Sequence, residues 1–283
     1  MIAGVVVNYG TPALTARAVA SLLAEPPVTE VVVVDNGSGD GDELRRVLPP
    51  GRVRLIESPR NGGFGQGVNL GARHTDCPLL LLLNSDAVLH AGTAAVLAEA
   101  MASSSRTAAV APRIFDGDGR PQVDAFGRFP TVVTMVTRTN RRPTATLEPD
   151  WVSGVAVLVR KEALEQVGGF DPRFAMYLED VDLCRRLRRA GWTIRRVPAG
   201  TVTHAGGASS TTSAARDAAY HRSLLLYLHD SGHSPFTVAA LGLLHRIWLS
   251  VRHRSARLPG TRTETSGAAS RSVAPGSAGD AAR

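Results

Sequence analysis

The chain has 283 residues, is 43% hydrophobic and carries a formal net charge of +7, which suits one large α/β domain with a full core. From Leu241 onward seven arginines (246, 252, 254, 257, 262, 271 and 283) face only Glu264 and Asp280, so +5 of the excess lies in the C-terminal stretch. That placement argues against a basic groove through the body, and with no nucleic-acid-binding signature it excludes nucleic acid as the expected partner. It favours an anionic partner near the C-terminus, such as phospholipid headgroups.

In chain order, Ile2–Val7 reads as a strand, which leaves no room for a signal peptide and sets a cytoplasmic expectation. Leu14–Leu23 reads as a helix, Val31–Val34 as a strand, Asp42–Leu48 as a short helix and Val53–Glu57 as a third strand. A glycine-rich loop, Asn61–Gly67, leads into a helix over Val68–Ala72. Five consecutive leucines, Leu79–Leu83, suit a strand buried on both faces, and Thr93–Ala102 follows as a helix. Repeated βα units of this length imply an α/β fold, a mostly parallel, doubly wound central sheet flanked by helices.

Val110–Pro112 is a further strand, and Phe115–Asp150 weakens into loops. Trp151–Arg160 reads as one apolar strand containing Ser153-Gly154, followed by a short helix over Lys161–Val167. Asp180–Ala190 is a helix, Thr193–Val197 a final strand and Ala215–His229 a C-terminal helix. Phe236–Val251 is apolar but interrupted by His245-Arg246, too short to span a bilayer. It suits a helix in the membrane interface or an amphipathic helix packed on the domain. Beyond Ser255 almost no large apolar residue occurs, and disorder is expected. The only cysteines, Cys77 and Cys184, suggest neither a disulfide framework nor a zinc site.

Four clusters carry chemistry. Strand ends at Asn8-Tyr9-Gly10 and Asp35-Asn36-Gly37-Ser38 lie where open α/β sheets bind ligands. Asp35 could accept the ring N–H of a pyrimidine base, or simply close a local turn. Arg60 and the Asn61–Gly67 loop, with Gly63, permit close backbone approach to a ligand, but the glycine spacing is no dinucleotide fingerprint and a plain turn fits equally. Asn84-Ser85-Asp86, at the end of the leucine strand, offers one carboxylate and one amide oxygen to Mg²⁺ or Mn²⁺, or a helix cap. Glu179-Asp180-Val181-Asp182 crowds three acids at a helix start, which favours the dipole and also raises carboxylate pKa values toward general-base use. Glu179 and Asp182 share a helix face and Asp180 points elsewhere. His204, before Gly206-Gly207, is a structural histidine or a metal ligand.

Together Val5–Tyr9, Val34–Ser38, Asn61–Phe64, Leu83–Asp86, Ser153-Gly154, Gly168–Asp171 and Glu179–Cys184, in this order, resemble the family-2 inverting glycosyltransferases of the GT-A fold, most closely the rhamnosyltransferase-like enzymes of cell-wall and O-antigen synthesis. The likeness covers residues 2–230. It implies that Asn8, Tyr9, Asp35, Arg60, Asn61, Gly63, Asn84 and Ser85 line the nucleotide pocket. Asp86 stands at the metal-binding acid of the family's D-x-D motif, with Asn84 in place of its first acid. His204 is a second metal or diphosphate ligand, Asp180 the catalytic base with Glu179 beside it, and Trp151, Ser153, Gly154 and Asp182 border the sugar and acceptor.

The implied reaction uses a dTDP- or UDP-sugar, with dTDP-L-rhamnose the first choice, and a glycan or polyprenyl-linked acceptor. The other classes are a non-catalytic nucleotide-sugar-binding relative and a nucleotidyltransferase. Asn8–Pro12 lacks the basic triphosphate loop the latter needs. The expected organisation is a catalytic domain over 1–230, an amphipathic, membrane-associating extension over 231–254 and a disordered tail over 255–283. The inner face of the plasma membrane is the expected peripheral site, and a homodimer is left open.

Overall fold

The computed structural model describes residues 1–122, 125–131, 147–206 and 213–255, so the tail expected to be disordered and part of the 115–150 loop region lie outside the described residues. The chain alternates β1 (Ile2–Asn8), α1 (Pro12–Leu23), β2 (Val28–Asp35), α2 (Gly41–Val47), β3 (Val53–Glu57), α3 (Phe64–Ala72), β4 (Leu79–Asn84) and β5 (Ala87–Leu89). There follow α4 (Thr93–Ala102), β6 (Thr107–Phe115), β7 (Phe126–Gly127), β8 (Trp151–Val152), β9 (Ala156–Arg160), α5 (Lys161–Gln166), α6 (Glu179–Arg189), β10 (Thr193–His204), α7 (Ser213–Asp230) and α8 (Pro235–Ser255).

Eight strands form one sheet in the order β3-β2-β1-β4-β9-β6-β10-β5, and β7 pairs with β8 separately. The β3, β2, β1 and β4 strands run parallel, β9 runs against β4 and β6, and β10 runs parallel to β6 and against β5. Within the eight-stranded sheet every strand but β5 and β9 therefore points the same way, and the carboxyl ends of β1, β2, β4, β6 and β10 collect at one edge. Strand order reverses between β1 and β4, the switch point at which open sheets bind ligands.

The leucine run is buried on both faces, as expected. Leu80 and Leu82 join a core with Val5, Val68, Phe170 and Leu187, while Leu81 and Leu83 join a second core with Val6, Val19, Leu22 and Leu97. Helix α3 lies close to the sheet because it is glycine-rich on its inner face. A Cβ on Gly71 would stand 2.8 Å or less from the sheet, at 2.7 Å from Val5 Cγ1, and one on Gly67 would stand 2.7 Å from Val7 Cγ1.

Three expectations need correction. The apolar segment Trp151–Arg160 is not one strand: Trp151–Val152 pairs with β7, Ala156–Arg160 pairs with β4, and Ser153–Val155 turns between the two sheets. Asp86 does not cap a helix, because β5 intervenes and Gly92 precedes α4. The last strand does not stop at Val197 but continues to His204, carried past an irregularity between Val197 and Thr201 by pairing with β6.

The two C-terminal helices pack on each other. Gly242 admits Leu225 closely, and His245, fully buried, stacks between His221 and Trp248 and lies against Tyr220. The opposite side of α8 leaves Phe236, Leu243, Leu244 and Ile247 exposed. No helix among the described residues is long and apolar enough to cross a membrane.

Gly71→Val is expected to cost about 1–3 kcal/mol through overpacking against β1. Thermal unfolding should show this as a Tm lower by several degrees; an unchanged Tm would mean that α3 does not depend on this close approach.

Candidate active site

The sheet edge is organised first by Asn8. Its side chain is fully buried, accepting from Thr15 Oγ1 at 2.8 Å and donating to Asp40 Oδ2 at 2.8 Å and Asp35 Oδ1 at 3.2 Å. Asn8 and Asp35 are register partners on β1 and β2. Asn8, expected to line a nucleotide pocket, is thus buried beneath the strand ends, where three neighbours consume its amide. Asp35 is 2% exposed, and its Oδ1 takes the Ser38 hydroxyl and, at 3.3 Å, the Ser38 N–H. The local turn and the position at the strand end therefore coexist.

Asp40 was not singled out in the sequence. It stands where a helix cap is expected before α2 but makes no capping bond. Instead it accepts from Gly10 N at 2.9 Å and Ser38 Oγ at 2.7 Å as well as from Asn8. Burial raises its pKa, but these hydrogen bonds outweigh burial and hold it below the usual carboxylate value. Its signal in the sequence was only its spacing from Asp35.

Asn36, also missed, fastens the glycine loop. Its Nδ2 donates to Asn61 Oδ1 at 3.0 Å and Gly63 O at 3.2 Å, and its Oδ1 accepts from Gly62 N at 3.2 Å. Gly63 is left-handed at φ 83°, and a Cβ there would collide with the carbonyl oxygen of Ala175. Asn61 and Arg60 are exposed beside this loop, and Tyr9 is half exposed.

At the end of β4, Asn84 N–H donates to Val155 O at 2.9 Å, and Ser85 Oγ accepts from Thr11 Oγ1 at 3.0 Å. The antiparallel pairing of β10 with β5 sets His204 opposite Ala87. His204 Nε2 consequently lies 3.1 Å from Asp86 Oδ1, and Ala205 N–H donates to Asp86 O at 3.0 Å. Two residues 118 positions apart (204 minus 86) are thus brought into direct contact. One carboxylate oxygen and one imidazole nitrogen form a donor set that fits a divalent ion of the Mn²⁺ kind. No cluster of three or more His, Cys, Asp or Glu able to hold a metal occurs among the described residues. The remaining positions would therefore fall to a phosphate ligand and water.

The Ser153–Val155 turn links this corner to the acidic helix. Gly154 N–H donates to Asp180 Oδ2 at 3.1 Å, and Val181 N–H donates to Asp180 Oδ1 at 2.8 Å. Gly154 is buried against Phe64, whose ring meets Phe170 edge-on. Asp180 is raised by burial, against the backbone hydrogen bonds that lower it. Glu179 is pushed up to about 8 by burial and then by the charge of Asp180. Among the described residues, Glu179 Oε2 is buried without a hydrogen-bond partner.

Asp182 does not join this pair. It is 1% exposed, and its two oxygens bind Arg185 and Arg186, each at 2.8 Å. Those two arginines neutralise Asp182. Trp151 is likewise turned inward, buried in the core with its Nε1–H donating to Arg128 O at 3.0 Å. Cys184, beneath the helix, has its thiol pushed up to about 12 by burial and stays protonated.

Comparison with known proteins bears on this edge as a whole. A family profile described as "Glycosyltransferase like family 2" matches residues 2–222. The N-acetylglucosaminyl-diphospho-decaprenol L-rhamnosyltransferase of Mycobacterium tuberculosis is 33% identical over 239 residues, covering 74% of this chain and 77% of that protein. The fold is similar to that of the mannosyltransferase PcManGT from Pyrobaculum calidifontis, solved with GDP-Man and Mn²⁺, at TM-score 0.59 and 18% identity over 92% of this chain and 76% of that one. It is also similar to GalNAc-T7, solved with UDP, GalNAc and Mn²⁺, at TM-score 0.58 and 17% identity, covering 87% of this chain and 54% of the other. The chain belongs to the family-2 glycosyltransferases: it is a transferase of the GT-A fold, similar to rhamnosyltransferases.

Proposed function

We propose that the protein transfers a sugar with inversion from a dTDP- or UDP-sugar, L-rhamnose from dTDP-L-rhamnose being the first choice, to a hydroxyl of a lipid-linked glycan. The observation that carries this reading is the unequal environment of two adjacent acids. Asp180 receives two backbone N–H groups, which favour its ionised form, whereas buried Glu179 Oε2 has no such partner and favours the proton. Of the two, Glu179 is then the better site for a shared proton and Asp180 the better site for the charge, as a general base requires.

Asp180 takes the proton of the acceptor hydroxyl as that oxygen attacks the anomeric carbon. The nucleoside diphosphate leaves from the opposite face. Asp86 and His204 would hold a divalent cation, whose charge stabilises the leaving diphosphate. Asp35, Tyr9, Arg60 and Asn61 border the nucleotide end, Asn84 and Ser85 the diphosphate end, and Ser153 and Gly154 the sugar. Support for the donor and acceptor comes from the name of the mycobacterial relative, an L-rhamnosyltransferase named for a decaprenol-linked N-acetylglucosaminyl diphosphate.

A lipid-linked acceptor also fits the outward face of α8, where Phe236, Leu243, Leu244 and Ile247 are exposed beside Arg246. Apolar residues next to cations suit the interface of an anionic bilayer. One side of the helix packs on α7, and the proposed membrane contact would use the other.

Assayed with dTDP-L-rhamnose, Asp180→Asn should lose about 10²–10⁴-fold in turnover, while the thermal shift given by the donor persists. Turnover near the wild-type level would remove Asp180 as the base, and failure of every dTDP- and UDP-sugar in a donor panel would sink the donor assignment.

Glu179 has a further consequence for stability. Its folded pKa of about 8 lies above the ordinary 4.5, so the unfolded chain releases this proton first and stability falls as pH rises from about 4.5 to about 8. Glu179→Gln should therefore gain Tm relative to wild type across that interval, with neutral-pH turnover kept within about tenfold. A constant Tm difference between the two proteins would contradict the assignment of the proton. Truncation after Ser234 should weaken binding to vesicles containing phosphatidylglycerol; equal binding of both forms would point to a water-soluble acceptor.

A further inference from the structure

The turn after β6 returns the chain along the sheet edge. Asp116 N–H donates to Arg120 O at 2.8 Å, and Gln122 N–H donates to Ile114 O at 2.8 Å. This places the Gln122 side chain against the end of β10. Its Nε2 donates to the main-chain oxygen of His204 at 3.3 Å, and its Oε1 lies 3.1 Å from His204 Nδ1. The opposite nitrogen of the same ring, Nε2, lies 3.1 Å from Asp86 Oδ1.

These contacts fix one hydrogen position, that on Nδ1, by elimination. A carbonyl oxygen only accepts, so the amide nitrogen of Gln122 must face it and the amide oxygen must face the ring. An amide oxygen also only accepts, so Nδ1 must carry a hydrogen. The neutral ring then presents the lone pair of Nε2 toward the Asp86 carboxylate. Two acceptors at that separation repel unless a cation or a proton lies between them.

We propose that Gln122 is a positioning residue that fixes His204 in its Nδ1–H form and thereby prepares Nε2, together with Asp86, to take a divalent cation. The inference rests on the metal reading given above and assigns a residue outside the recognised motifs to it. Partners on the far nitrogen commonly set the tautomer and orientation of a ligating histidine, and their loss costs about 10–100-fold in metal affinity. Gln122 also holds the His204 main chain, so ring orientation and backbone position are fixed by one side chain.

Mn²⁺ binding to the full chain, followed by electron paramagnetic resonance, separates the outcomes. Gln122→Met, which keeps length and removes both hydrogen bonds, should weaken Mn²⁺ binding by about 10–100-fold. Gln122→Glu can still accept from Nδ1–H but sets its other oxygen against the His204 carbonyl, so its affinity should fall between those of wild type and Gln122→Met. Nitrogen-15 NMR of the metal-free protein with His204 neutral should show the Nδ1–H form in wild type and Gln122→Glu, and a mixture in Gln122→Met. Equal Mn²⁺ affinity of Gln122→Met and wild type, with binding lost in His204→Ala, would overturn the role of Gln122 and leave the metal site standing. Equal binding by His204→Ala and wild type, or none by wild type, would overturn the metal site and the inference with it.

Discussion

The site depends on a short turn that changes sheets. Ser153–Val155 leaves β8, which belongs to the small ribbon, and enters β9, which lies in the main sheet beside β4. Within it, Val155 O holds the end of the leucine strand through Asn84 N–H, and Gly154 N–H holds Asp180. Two main-chain hydrogen bonds from adjacent residues therefore set the spacing between the Asn84–Asp86 corner and the acidic helix. Main-chain groups are suited to this because they lack the rotamers of side chains. The glycine is required because Phe64 occupies the space where a Cβ would go.

Much of this was legible in the sequence. The leucine run suited a strand covered on both faces, and the strand–helix alternation implied the parallel part of the sheet. The break inside Trp151–Arg160 was not legible, because apolar residues continue on both sides of it and only Ser153-Gly154 interrupts them. Strand β5 was hidden for a different reason: three residues carry no periodicity, and its existence depends on pairing with β10. That same pairing joins His204 to Asp86, so sequence could name both residues but could not bring them together.

The role of each acid was less legible than its presence. Asp180 and Asp182 differ by two positions and therefore lie on different sides of the helix. One meets the main-chain N–H groups of Gly154 and Val181, and the other meets two guanidinium groups. A neutralised, buried ion pair leaves Asp182 no charge to offer a substrate. At the ends of β1 and β2 the same logic applies to Asn8, whose amide is spent on holding Asp35, Asp40 and Thr15 in one network. A residue can belong to a family motif because it holds its neighbours and not because it touches the ligand.

The C-terminal helix α7 bears on the acidic pair by the same indirect route. Tyr177 and Leu178, directly before Glu179, both have left-handed backbone at φ 69° and 64°. Non-glycine residues adopt this conformation at a cost of order 1–3 kcal/mol each, so surrounding contacts must impose it. Those contacts come largely from α7: Ser223 Oγ donates to Met176 O at 2.7 Å, and Tyr220 packs edge-on against Tyr177. Phe174, fully buried, anchors the segment from the other side. The strained turn lets α6 begin with Glu179 and Asp180 beside Gly154. Because His245 of α8 packs against Tyr220 in turn, the helix with the exposed apolar face is joined by direct packing to the segment that positions the acids.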